Sequence, residues 1–128
     1  MHDNETMMRQ GYAAFAAGDI PGVLALFDPQ IRWTGGGHNS LSGVYTGHEE
    51  VVGFFTKLFE LTSGTFALDL KRMIVDDNGV VAIVSASGQR EGKSYSWEYA
   101  HVWEVKDGKV STFAEYADDG RAQDALFA

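Results

Sequence analysis

The chain has 128 residues, of which 45% are hydrophobic, 22% charged and 12% aromatic, a composition that suits one globular domain with its own core. Ten Lys and Arg stand against eighteen Asp and Glu, a formal net charge of -8, which argues against binding to nucleic-acid phosphates and to an anionic membrane surface. There is no cysteine, so disulfides and thiolate metal sites are excluded.

Met8, Tyr12, Phe15 and Ala16 recur at helical spacing and predict a first helix, which Gly18-Asp19 ends while capping a second. Pro21 is tolerated in the first turn of that short second helix, which would carry Val23, Leu24 and Phe27. Ile31-Arg32-Trp33-Thr34 reads as a first strand. Three glycines and Leu41-Ser42-Gly43-Val44-Tyr45 follow, and Thr46 with Glu49 makes a capping box for a third helix starting near Gly47. Val51, Val52, Phe55, Leu58 and Phe59 form the apolar stripe of that helix, and Gly64 stops it.

From Thr65 the period becomes strand-like, and turn signals at Asn78-Gly79, Glu91-Gly92 and Asp107-Gly108 separate four runs in an antiparallel meander. Ala122 to Phe127 form a short closing helix or arm. Helices at one end of the chain and strands at the other indicate an α+β domain spanning residues 1–128, with helices packed on one face of a curved sheet. The acidic, polar start Met1-His2-Asp3-Asn4-Glu5 lacks the charge and apolar core of a signal peptide, and no apolar run approaches the ~20 residues of a membrane span, so a cytoplasmic location is expected.

Several common signatures are missing. Gly35-Gly36-Gly37-His38 lacks the ending of a phosphate loop, His48-Glu49-Glu50 has no second His one turn on, and no Ser sits in a nucleophile elbow. The informative stretch is Trp97-Glu98-Tyr99-Ala100-His101-Val102-Trp103, followed after Asp107-Gly108 by Ser111 to Tyr116. A two-residue loop would pair Lys106 with Lys109, placing Ala100 opposite Glu115 and turning His101 to the other side. A three-residue loop with a bulge at Gly108 pairs His101 with Phe113 and Tyr99 with Glu115. The second register is preferred, because it gathers Trp97, Tyr99, His101, Trp103, Phe113 and Glu115 on one aromatic face, as a small-molecule pocket requires. A carboxylate among aromatics has a raised pKa and an adjacent imidazolium lowers it, so such a pair could hold a proton near neutral pH.

Trp33, Phe55, Phe59, Trp103 and Phe113 serve equally as pocket lining or as ordinary core. His38 either guards a pocket mouth or is an exposed loop residue, and the Tyr45 hydroxyl either orients a ligand or bonds the backbone. His38, His101 and Glu115 are the types of a two-His, one-carboxylate site, but nothing in their spacing demands a metal, and none is expected.

Gly18-Asp19, the run Gly43-Val44-Tyr45-Thr46-Gly47, His101-Val102-Trp103, Asp107-Gly108-Lys109-Val110, and Glu115-Tyr116 with Asp118 together resemble the nuclear-transport-factor-two-like (NTF2-like) superfamily. Ketosteroid isomerases, scytalone dehydratases, limonene epoxide hydrolases and SnoaL-like polyketide cyclases belong to it, and the chain is most similar to the SnoaL-like branch. The resemblance implies a cone, with a curved antiparallel sheet wrapped around three N-terminal helices and enclosing a pocket. It also implies a homodimer formed through the sheet, and catalytic roles for Glu115 on the last strand and His101 on the strand before. Two departures stand out: Gly35-Gly36-Gly37-His38 has no carboxylate where ketosteroid isomerases place their base, and the Asp-Arg-Asp set of limonene epoxide hydrolases is missing near Tyr99 and His101.

The leading expectation is a cofactor-independent enzyme of isomerase, cyclase or hydratase type acting on a small apolar carbonyl or polyketide-like compound. Glu115 would shuttle the proton, and His101 would orient Glu115 and stabilise an oxyanion. His38 or Tyr45 would donate hydrogen bonds, and Trp33, Phe55, Phe59, Trp97, Tyr99, Trp103 and Phe113 would bind the substrate. The alternatives are a non-catalytic small-molecule-binding module and a dimeric assembly module of the same fold.

Overall fold

Helix α1 (Asp3–Ala16) starts where His2 Nδ1 accepts the Asn4 N–H, with Asp3 and Glu5 in its first turn, so both an unpaired donor and the positive end of the helix dipole are answered locally. In the computed structural model, which describes residues 1–128, there follow α2 (Ile20–Leu24), β1 (Phe27–Gly35), β2 (Gly43–Thr46), α3 (Gly47–Leu61), β3 (Ala67–Asp76), β4 (Gly79–Arg90), β5 (Lys93–Lys106), β6 (Lys109–Ala117) and α4 (Gly120–Leu126). Asp19 caps α2 as expected, accepting the Gly22 N–H at 2.9 Å. No helix is long and apolar enough to cross a membrane.

Three local expectations are corrected. Phe27 opens β1 instead of lying on α2, because Pro29 disfavours helix just beyond it and the strand position packs Phe27 against Trp33 and Trp103. The Thr46 hydroxyl makes no capping bond, and it is Glu50, not Glu49, that reaches back to the Thr46 N–H at 2.9 Å. Gly43–Thr46, where no strand was predicted, forms an edge strand that pairs Tyr45 with Trp33.

The sheet runs β2-β1-β6-β5-β4-β3. The expected antiparallel meander holds from β3 to β6, but β1 lies parallel to β6. Parallel neighbours need a long crossover, and α3 with the first three strands of the meander provides it. The sheet stays curved and unclosed, and α1 and α3 cover its concave face. Met8, Val51, Phe54, Phe55 and Leu58 from these helices meet Ile31, Trp33, Trp97, Tyr99, Trp103 and Phe113 from the strands in one apolar core.

The turn into β6 fixes which side chains share that face. Asp107 and Gly108 both have positive φ, 52° and 76°, and Lys106 pairs with Lys109 across a two-residue loop. That is the tighter of the two loops considered, and alone it would place Ala100 opposite Glu115. Ser111 is an extra residue on β6, however: Val105 pairs with Val110 but Glu104 pairs with Thr112, and beyond this bulge Trp103 faces Phe113 and His101 faces Glu115. The expected pairs His101–Phe113 and Tyr99–Glu115 are therefore each displaced by two residues, a shift that leaves every side chain on its expected face.

Candidate functional site

A cavity of about 50 Å³ lies between the concave face and the helices. Met8, Tyr12 and Phe15 of α1, Phe54, Phe55 and Leu58 of α3, and Phe27, Trp33, Tyr99, His101, Trp103, Phe113 and Glu115 of the strands line it, together with Gly11, Val23, Phe66 and Leu68. The aromatic wall is continuous: Trp33 stacks on Phe113 with ring centroids 3.8 Å apart, and Phe113 meets Trp103 at 4.5 Å and the edge of His101 at 5.0 Å.

Glu115 is held at this wall by two donors. Its Oε1 accepts the Gly36 N–H at 3.0 Å and the Gln123 Nε2–H at 3.0 Å, and Gln123 Nε2 also donates to the Tyr99 hydroxyl at 2.9 Å. Gly36 can come this close because it has no side chain; a Cβ there would stand 2.7 Å from the Glu115 carbonyl oxygen. Burial pushes the Glu115 carboxyl up to about 7, against the downward pull of Gly36, Tyr99 and Gln123. Near neutral pH it therefore exists in both protonation states. With Oε1 occupied by two N–H donors, the proton of the neutral form belongs on Oε2.

His101 faces Glu115 across the ladder without bonding to it. Its Nδ1 lies 2.6 Å from the Tyr12 hydroxyl, its Nε2 is buried with no hydrogen-bond partner, and burial lowers its pKa to about 3. The imidazole is thus neutral, and the expectation that it would be a cation orienting Glu115 is corrected: an apolar wall penalises the charged ring, and no carboxylate touches it to compensate. Gly36 and Gln123 orient Glu115 instead. Burial likewise pushes the Tyr12 phenol up, and Tyr12 accepts the Trp103 Nε1–H at 3.0 Å.

Of the candidate residues, Glu115, His101, Trp33, Phe55, Tyr99, Trp103 and Phe113 line the cavity, while His38, Tyr45, Phe59 and Trp97 do not. His38 is exposed in its loop, with its N–H bonded to Asp124, and the Tyr45 hydroxyl donates to the Leu41 carbonyl at 2.9 Å. Phe59 stacks behind the wall on Phe15 at 5.5 Å, and Trp97 packs on Tyr99 and Phe127. No three His, Asp or Glu side chains come together as metal ligands would. Sequence reasoning missed Tyr12 and Gln123. Tyr12 was read only as a member of a helical stripe, although it alone among those stripe residues carries a hydroxyl. Gln123 was the one amide in the closing segment, a polar residue with no reason to be buried unless something buried needed it.

Comparison with known proteins places this chain in a family. The sequence model of the SnoaL-like domain matches residues 8–113. The uncharacterised protein Rv0034 of Mycobacterium tuberculosis is 26% identical over 123 residues, 95% of this chain and 94% of that protein. The structure of Bal32a, from a soil-derived mobile gene cassette, superposes with a TM-score of 0.93 at 31% identity, covering 98% of this chain and 97% of that one. An NTF2-like protein of unknown function from Burkholderia pseudomallei superposes with a TM-score of 0.87 at 28% identity, covering 100% and 99%. With its cone of helices on a curved sheet, this chain belongs to the SnoaL-like family of the NTF2-like superfamily.

Proposed function

We propose that the protein is a cofactor-independent acid–base enzyme, of isomerase, cyclase or hydratase type, acting on a small apolar carbonyl or polyketide-like compound held in the cavity. The observation that carries this reading is Glu115: a carboxyl fixed by Gly36 and Gln123 on an otherwise apolar wall, in the range where it gives and takes a proton at neutral pH. Ionised, it removes a proton from the carbon beside the carbonyl. The C–H pair moves into an enolate whose oxygen is held by His101, and the carboxylic acid then returns the proton to carbon or oxygen. Trp33, Phe55, Tyr99, Trp103 and Phe113 exclude water and clasp the apolar body of the substrate.

The test is exchange of the α-protons of cyclohexanone and related small ketones in D2O, followed by mass spectrometry. Glu115→Gln should slow the protein-dependent exchange by about 100-fold or more. Equal exchange in parent and variant would overturn the proposal. A second reading, a binding module without chemistry, is favoured by the narrowness of the cavity and by the complete hydrogen bonding of Oε1. It predicts ligand binding with no exchange in the parent. Val44, Ile74 and Tyr116, the last 64% exposed, leave apolar surface on the sheet, and we assign homodimerisation to it.

A further inference from the structure

Three buried side-chain nitrogens have no hydrogen-bond partner: Trp33 Nε1, Trp97 Nε1 and His101 Nε2. Two of them, Trp33 and His101, belong to residues that line the cavity. A buried polar atom without a partner is costly, so two at one wall need an explanation.

The hydrogen bonds around His101 say which of its nitrogens carries the proton. Trp103 Nε1 can only donate, and it donates to the Tyr12 oxygen. The Tyr12 hydroxyl keeps its own proton, and the one acceptor within its reach is His101 Nδ1, at 2.6 Å. Nδ1 therefore accepts, and in a neutral ring the proton must sit on Nε2. The chain Trp103 → Tyr12 → His101 ends on an N–H that is buried, with the residue only 4% exposed, and that nothing in the protein receives.

We infer that Tyr12, braced by Trp103, is a positioning residue that fixes His101 as a neutral Nε2–H donor, and that the ligand of this cavity presents a carbonyl-type acceptor oxygen to it. This rests on the proposed site but not on its chemistry: the donor exists whether or not Glu115 transfers a proton. A ring held with Nδ1–H instead would offer the ligand a lone pair and would select a hydroxyl or amine donor. The Tyr12 contact excludes that arrangement, and so makes the choice between ketone-like and donor-type ligands.

The experiment is long-range 1H–15N correlation of the imidazole nitrogens at neutral pH in the full chain, the parent beside Tyr12→Phe, with cyclohexanone and with methylenecyclohexane, which has CH2 in place of the oxygen. In the parent, Nε2 of His101 should have the shift of a protonated nitrogen and Nδ1 that of a bare one. In Tyr12→Phe the two should move towards each other as the tautomers mix. Cyclohexanone should move the Nε2 signal of the parent, methylenecyclohexane should not, and the Trp97 indole, which lies off the cavity, should ignore both. A proton on Nδ1, or tautomers unchanged in Tyr12→Phe, overturns the role of Tyr12. An Nε2 signal that answers both probes alike, or neither, overturns the carbonyl assignment. None of these outcomes depends on proton exchange, so a binding protein without acid–base activity would still pass.

Discussion

His101 and Glu115 occupy one rung of the β5–β6 ladder and share a cavity, yet no hydrogen bond joins them. Each is held by a different partner: the imidazole by Tyr12 from the first helix, the carboxyl by Gln123 from the last helix and by the Gly36 backbone. The site is two separately supported groups facing the same space, and it does not behave as an ion pair.

The pH dependence of stability follows from that separation. Burial moves His101 from 6.5 down to about 3 and Glu115 from 4.5 up to about 7. Between pH 4.5 and 6.5 the unfolded chain protonates the His that the folded chain keeps neutral, while the folded chain keeps a proton on the Glu that the unfolded chain has released. The two contributions to the slope cancel. Below that window only the His contribution remains, and stability falls as the pH drops towards 3. Glu115→Gln removes the cancelling contribution, so its stability should rise with pH through the window relative to the parent, by about 1.4 kcal/mol per pH unit. Urea denaturation across pH 4 to 7 reads this directly, and parallel profiles for the two proteins would contradict it.

Gln123, only 1% exposed, is expected to govern the carboxyl. Gln123→Leu removes a donor that pulls the Glu115 pKa down, so a 13C titration of the side-chain carboxyl should place its midpoint higher than in the parent. The Tyr99 hydroxyl loses the same donor, and the variant should be about 1–2 kcal/mol less stable.

Two glycine substitutions should move stability in opposite directions. An Ala Cβ at Gly36 meets the backbone oxygen of Glu115 at 2.7 Å, and backbone cannot step aside, so Gly36→Ala should cost about 1–3 kcal/mol. The same variant should raise the Glu115 pKa by loosening the N–H contact. Gly53 lies exposed within α3 with nothing inside 4 Å of a Cβ, and Gly53→Ala should gain about 0.5–1 kcal/mol from helix propensity. Thermal unfolding of the pair checks both signs.

The phenylalanines should divide by position. Phe113 is fully buried and stacked on Trp33, and Phe113→Ala should cost about 3–5 kcal/mol. Phe59, partly exposed behind the cavity wall, should cost clearly less when cut to Ala, and only the Phe113 change should enlarge the ligand space. Denaturation midpoints and binding of a larger ketone separate the two effects.

Much of the fold was legible because the periods in the sequence are strong. The apolar stripe from Val51 to Phe59 and the turn residues at Glu91-Gly92 and Asp107-Gly108 leave little choice of element. Phe27 was misplaced because a single aromatic at the end of a five-residue helix suits either period, and only its contacts with Trp33 and Trp103 decide. The parallel β1–β6 pair was illegible because nothing local records which distant strand will lie alongside. At the site, alternation found the aromatic face and both titratable groups. It could not find Tyr12 or Gln123, whose roles arise where helices from opposite ends of the chain dock on the sheet.

The bulge at Ser111 makes length, not only identity, a property under constraint in the segment between Lys106 and Thr112. Deleting one residue there would remove the bulge and restore simple pairing after the two-residue turn, with Glu104 still opposite Thr112 and His101 still opposite Glu115. Losing the bulge at unchanged length would instead rotate the rest of β6 by half a period, so that Phe113 and Glu115 would face outwards and Ala114 and Tyr116 would take their places in the cone. With the bulge kept, deleting or inserting two residues would slide the strand along its neighbour but keep the carboxyl inside. Related chains that vary in this hairpin and retain an inward carboxylate should therefore differ by even numbers of residues where the bulge is kept and by odd numbers where it is lost, and any other combination should mark a cone whose last strand offers no acid to its cavity.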